Sequence, residues 1–173
     1  MANERTLNLL GALALGLTDS LNIAVAANAG YGGETPAALV TLGAEPGISI
    51  NTLRQILNLS HPGTVRLIDR LEKDGLVERR AGADGRTLAL FLTEAGQQRR
   101  LAILAQRQQQ LHLALDCLSS TEQKQLTKLL EKMLAAMTID ELRAYMLCRL
   151  CEEEVCPQDR CPVEQKYCQM TKS

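Results

Sequence analysis

Apolar side chains recur at helical spacing along most of the chain, and only one stretch alternates in the way of paired strands. Leu7 to Ala29 reads as a long helical segment that ends in the breaker run Gly30-Tyr31-Gly32-Gly33. Thr35 is the expected N-cap of the next helix, with Pro36 at its first position. That helix carries Leu39, Val40 and Leu42 and stops near Pro46-Gly47. A short helix after Ser49 places Leu53, Ile56 and Leu57 on one side, and another opens at His61-Pro62, capped by Ser60 or His61. In this helix Val65, Leu67, Ile68 and Leu71 form the expected buried stripe, and Gly75 sits where a left-handed C-cap belongs.

The pattern then changes. Leu76 to Arg80 and Arg86 to Leu92 read as two strands joined by a turn over 81–85, with Asp84-Gly85 near its tip. Thr93 caps a long helix to about Asp116, in which Leu101, Leu104, Leu111, Leu115 and Leu118 make a seam interrupted by Gln108. Ser119-Ser120 with Glu122 or Gln123 is a capping box for a helix carrying Leu126, Leu129, Leu130, Met133, Leu134 and Met137. A last helical piece runs from Ile139 to about Leu150 and leads into a cysteine-rich tail. The expected fold is mostly α with a small β-hairpin wing: a winged helix-turn-helix on a dimeric helical platform. Four segments follow: an N-terminal dimerisation helix (1–34), a winged helix-turn-helix domain (35–92), C-terminal dimerisation helices (93–147) and the tail (148–173).

Composition narrows the reading. At 173 residues the chain suits one domain of ordinary size. Its aromatic residues are one Phe and three Tyr, so aliphatic side chains, mostly Leu and Ala, must fill the core. A formal charge of -1 argues against a nucleic-acid coat protein, although a regulator needs only local positive charge. Asn8, Thr18, Asp19, Ser20, Asn22 and Asn28 interrupt the first apolar segment, which therefore reads as packed helix rather than a membrane span. No leader pattern opens the chain, and cytoplasm is the expected location.

On a helical wheel Gly63, Arg66, Asp69, Arg70 and Lys73 lie opposite the apolar stripe of the third short helix. Such a helix fits the major groove of double-stranded DNA. Arg66 is the main candidate for base contact, and Ser60, Thr64 and Arg70 for bases or phosphates. Arg79, Arg80 and Arg86 on the hairpin are candidates for phosphate or minor-groove contact. Arg86 has the alternative of pairing with Asp84 across the wing tip. From Arg54 to Arg86 seven basic residues face five acidic ones, a modest local excess. There is no Gly-rich phosphate loop, no cluster of His with carboxylates and no nucleophile elbow, so an enzyme is not expected. The rival reading is a helical protein-interaction module without specific DNA binding, which would leave the paired Arg66 and Arg70 beside a basic hairpin without a purpose.

The run from Leu59 to Arg79, containing Leu71-Glu72-Lys73-Asp74-Gly75-Leu76-Val77-Glu78-Arg79, resembles the signature of the MarR (multiple antibiotic resistance regulator) family. Asp84-Gly85-Arg86 and Leu92-Thr93-Glu94-Ala95-Gly96 continue the likeness, which covers roughly Thr35 to Met137. The resemblance implies an obligate homodimer on a palindromic operator, commonly a repressor released by a small molecule, metal or oxidant. It implies that Arg86 is the wing arginine and that Arg66 and Arg70 lie in the reading helix. Scarcity of aromatics departs from members that bind flat phenols, and the tail lies beyond the family core.

The tail reads Cys148-x-x-Cys151-x4-Cys156-Pro157-x3-Cys161-Pro162, with Cys168 seven residues on. Cys148 and Cys151 lie one helical turn apart, and Pro157 and Pro162 are expected to stop helix formation and turn the chain back. Four thiolates so spaced suit zinc or an iron–sulfur cluster, with Cys168 as a substitute ligand. Reversible disulfide chemistry and simple packing are the other readings. Glu152, Glu153 and Glu154 offer no positive surroundings for a thiolate. Cys117 is expected to be a small core residue, and His61 and His112 to be structural or solvated.

Overall fold

The computed structural model describes residues 3–30, 32–82, 87–157 and 159–171, the side chains of residues 28 and 29 excepted. Asp84, Gly85 and Arg86, and so the wing tip with its Asp84–Arg86 pair, lie outside the described residues. The elements run α1 (Glu4–Ala29), α2 (Thr35–Ala44), α3 (Ile50–Ile56), α4 (His61–Lys73), β1 (Val77–Ala81) and β2 (Leu88–Leu92). They continue with α5 (Glu94–Leu115), α6 (Ser120–Met137), α7 (Glu141–Cys148) and α8 (Pro162–Thr171).

Each boundary has a local cause. Asn3, Ser49, Ser60, Thr93, Ser119 and Asp140 all sit in extended backbone and accept a first-turn N–H, which satisfies a donor the helix cannot. Ser119 and Glu122 complete the reciprocal capping box. Gly75 ends α4 at φ +71°, a conformation that side chains rarely adopt. Thr35 is not the N-cap of α2. Glu34 holds that position, and Thr35 is the first helical residue, buried beneath α4.

β1 and β2 pair antiparallel from Val77 opposite Leu92 to Ala81 opposite Leu88. The loop before α3 adds a short third edge: Gly47 N–H donates to the Leu90 carbonyl at 2.8 Å, and Leu90 N–H to that of Ile48 at 3.0 Å. One core joins the winged unit to α5. Leu39, Leu42, Leu53, Ile68, Leu71, Leu90 and Ile103 are completely or almost completely buried in it. Each such side chain contributes about 1.5–3 kcal/mol relative to exposure.

The junction of wing and platform is tight. Thr93 Oγ1 donates to the Gly75 carbonyl at 2.6 Å and accepts from Gly96 N–H at 3.0 Å. A Cβ at Gly96 would lie 2.0 Å from the Leu76 carbonyl oxygen. The Leu-Thr-x-x-Gly motif is therefore a capped helix start pressed against the backbone that leads from α4 into β1.

The remaining helices are poorly covered. α1 packs along α5, burying Ala24 and Val25, while Leu7, Leu9, Leu10, Leu13, Leu15 and Ile23 remain exposed. By length and composition its segment Glu4–Ala27 is long and apolar enough to cross a membrane, so its polar interruptions do not exclude that as expected. α6 buries no residue and exposes Leu129, Leu130, Met133 and Met137. Of the expected α5 seam, Leu104 is buried with Ile103, but Leu101 is exposed. Cys117 is exposed rather than in the core, because α5 ends at Leu115 and leaves it on an open connection.

A candidate nucleic-acid interface and a thiol-lined cavity

The buried stripe of α4 is Thr64, Leu67, Ile68 and Leu71, at positions i, i+3, i+4 and i+7. The sequence pattern placed Val65 there and Thr64 on the DNA side. The order is reversed because Thr64 Oγ1 donates to the Ser60 carbonyl at 3.1 Å, which lets the residue enter the core with its hydroxyl satisfied. Thr64 is fully buried and cannot reach DNA, whereas Val65 is only partly buried. Ser60 is spent as the cap, accepting from Gly63 N–H at 3.2 Å, and Gly63 is partly exposed beside it.

Arg66, Arg70 and Lys73 are exposed along the outer face of α4. Arg70 is held: its Nη2 donates to Thr35 Oγ1 on α2 at 2.8 Å, so it joins the reading helix to the helix behind it. Arg79 is not a free wing cation. Its two terminal nitrogens donate to Asp69, at 2.6 Å, and to Glu72, straps that draw β1 onto α4. Arg80 pairs with Glu78, and its guanidinium lies 4.5 Å from the Phe91 ring centroid, a cation–π arrangement that leaves it half-exposed. Arg86 lies outside the described residues, so the structure assigns it no position.

The tail folds back as well, but not as expected. Pro162 does not stop a helix; it opens α8, at a position where a missing N–H costs nothing. α7 and α8 pack together, with Ala144, Cys161 and Val163 buried between them. Against α2 they enclose a cavity of about 340 Å³, lined in part by Val40, Glu45, Tyr145, Cys148, Cys151 and Cys161. Burial, then the charges of Glu153 and Glu164, raise the affinity of Glu45 for its proton. The Tyr145 phenol is likewise shifted up, by burial and then by Glu45, Glu141 and Glu164.

The expectation of zinc or an iron–sulfur cluster is overturned. Among the described residues no group of three or more His, Cys, Asp or Glu side chains is arranged to hold a metal ion. The thiols still influence one another's proton affinity, Cys148 with Cys151 and Cys161, and Cys161 with Cys156. Cys156 is exposed, and Cys168 lies on α8 with its sulfur 3.5 Å from Glu164 Oε1. All six cysteines are outside disulfides. Hydrogen bonding to Cys151, then burial, pushes the Cys148 thiol up. Cys151 goes the other way, down to about 6: the Cys148 hydrogen bond is the main cause and the charge of Arg107 a smaller one, against burial. That arginine comes from α5, more than forty positions upstream, and no local sequence pattern points to it.

Three helices, a capped reading helix with a basic outer face, and a strapped hairpin define a winged helix-turn-helix protein. Residues 30–87 match the family model described as MarR family. The transcriptional repressor MprA of Escherichia coli K12 is 36% identical over 103 residues, which are 58% of this chain and 58% of MprA. The match therefore spans little more than half the length of that curated relative. A MarR family protein from Bacillus stearothermophilus superposes with a TM-score of 0.72 at 25% identity, over 80% of this chain and all (100%) of that one. MepR, described as a transcription regulator of the Staphylococcus aureus multidrug efflux pump MepA, gives 0.65 at 22% identity, over 74% of this chain and 95% of that one. The chain is thus similar to the MarR family over residues 30–87 and shares the fold of its solved members.

Proposed function

We propose that the protein is a transcriptional regulator, a repressor, which binds a palindromic operator in double-stranded DNA as a homodimer in the cytoplasm and catalyses no reaction. The observation that carries this reading is the division of α4. One face is locked into the core through Thr64, Leu67, Ile68 and Leu71, while Arg66, Arg70 and Lys73 stand on the other. A helix fixed on one side and basic on the other can enter a major groove without losing its support. Arg66 reads base edges, Arg70 and Lys73 meet phosphates, and Ser60 and Gly63 bring the helix start close to the backbone. Arg80 and the wing arginine Arg86 grip the flanking duplex. MprA, described as a transcriptional repressor, supports the direction of regulation.

A second copy covers what this chain leaves bare. The apolar residues exposed on α1 and α6 are too many for an isolated soluble domain. Pairing two platforms hides them and sets two reading helices about one DNA turn apart. The same pairing accounts for the apolar character of α1 without a membrane. A signal reaches this dimer through the tail, whose thiols and cavity lie directly against α2.

Selection of binding sites from random duplexes, read with reduced protein at low salt, tests this function. A recovered inverted repeat, bound two chains to one duplex, is the expected result. Equal recovery of all sequences favours the interaction-module reading.

A further inference from the structure

Cys148 and Cys151 stand three positions apart where α7 ends, and Cys151 N–H donates to the Cys148 carbonyl at 2.8 Å. A four-residue turn closed in this way holds its end Cα atoms within about 7 Å. Disulfides span about 4.4–6.8 Å between Cα atoms, so the pair needs little backbone movement to bridge. Each thiol is the largest influence on the other's proton affinity, and both line the cavity, which gives a small solute access.

The two residues enclosed by the pair fasten the tail to the winged domain. The Arg149 carbonyl accepts from Thr41 Oγ1 on α2 at 3.5 Å. Leu150 packs against the main core. α2 in turn holds Arg70 of the reading helix through Thr35. A bond that reshapes Arg149-Leu150 therefore acts on the mount of the reading helix.

We propose that Cys148 and Cys151 are an oxidant-responsive pair, closed to a disulfide by a small hydroperoxide, and that closure weakens DNA binding. The regulatory half rests on the function proposed above. Cys151 reacts first, since Cys148 and Arg107 favour its anion. Its thiolate attacks the outer peroxide oxygen: an S–O bond forms, the O–O bond breaks, and the departing alkoxide or hydroxide takes a proton. The product is a sulfenic acid on Cys151. The Cys148 sulfur then attacks that sulfur, an S–S bond forms, the S–O bond breaks, and water leaves with the Cys148 proton. Two thiols are oxidised by two electrons and one hydroperoxide is reduced. The exposed Cys117, whose sulfur meets the Ala114 carbonyl at 3.7 Å, serves as an internal control for general oxidation.

The test treats the full-length reduced protein with hydrogen peroxide and reads two signals. Intact mass and peptide mapping should show the loss of two hydrogens and a Cys148–Cys151 crosslink at peroxide levels that leave Cys117 a thiol. Cys148→Ala should stop at a sulfenic acid on Cys151, and Cys151→Ala should form no crosslink, with thermal melting confirming that both remain folded. Affinity for a selected duplex should fall by about tenfold on oxidation of the wild type, within the usual range of coupling between sites, and not in Cys148→Ala. A crosslink between Cys156 and Cys161 instead, or oxidation of Cys117 as fast as of the pair, overturns the assignment. A Cys148–Cys151 crosslink with unchanged affinity overturns the regulatory half. Reduced protein that selects no duplex refutes the proposed function and not the thiol pair, which the mass measurement reads alone.

Discussion

Arg79 on β1 donates to Asp69 on α4 at 2.6 Å, so the first wing strand is tied to the reading helix itself. Glu72, one turn further along α4, accepts the other terminal nitrogen. Arg79 thus holds two elements at a fixed angle, and its charge is largely spent within the protein.

Arg79→Ala should cost about 0.5–1 kcal/mol of stability, the scale of partly exposed ion pairs. It should weaken specific and non-specific duplexes alike, because what changes is the wing's position. Urea denaturation and anisotropy titrations with both duplexes check this.

Arg66→Ala makes the contrasting prediction. Loss of a base-reading contact should cost about 1–3 kcal/mol on the selected operator. Non-specific duplexes should lose much less, and the dimer should remain. Equal losses on both duplexes would make Arg66 a phosphate contact.

Gly96→Ala should destabilise by about 1–3 kcal/mol or more, the cost of overpacking. The neighbour its methyl would strike, 2.0 Å away, is the Leu76 backbone oxygen, which cannot swing aside as a side chain could. Chemical denaturation reads the effect directly.

Cys151 should be alkylated by iodoacetamide with a midpoint near pH 6, since the anion that reacts prevails above its pKa of about 6. The groups facing it are Cys148, Arg107 and Glu153. Cys148→Ala should move the midpoint up toward about 8.5, the ordinary cysteine value. Arg107→Ala should move it in the same direction by less. Mass-spectrometric alkylation rates across pH 5–9 (roughly the span of thiolate titration) check both.

The winged unit was legible in the sequence because its signals are local. Ser60, Thr93 and Ser119 cap where their positions say, Gly75 ends α4, and the hairpin pairs the expected segments. What failed to show depended on distant or ambiguous partners. Thr64 and Val65 are both β-branched and similar in size, and only the hydrogen bond to Ser60 decides which enters the core. Arg79 reads as a wing cation until Asp69 and Glu72 are brought beside it. Pro162 is compatible with ending one helix or opening the next, and packing of α8 against α6 and α7 decides. The cysteine spacing allowed convergence on one metal, but among the described residues the folded tail does not bring three or more such side chains into a metal-holding arrangement.

Met133→Glu should break the dimer while leaving each chain folded, because α6 buries no residue within its own chain. Operator affinity should fall by about 100-fold or more as the two half-sites lose their linkage. Sedimentation velocity and circular dichroism on one sample distinguish dissociation from unfolding.

The most direct measurement of the central claim is the mass of the complex formed by reduced protein with a duplex recovered by selection, combined with hydroxyl-radical footprinting. Two chains per duplex, protecting two patches about one helical turn apart, are the expected result. A single chain per duplex, or protection that does not depend on sequence, would contradict it.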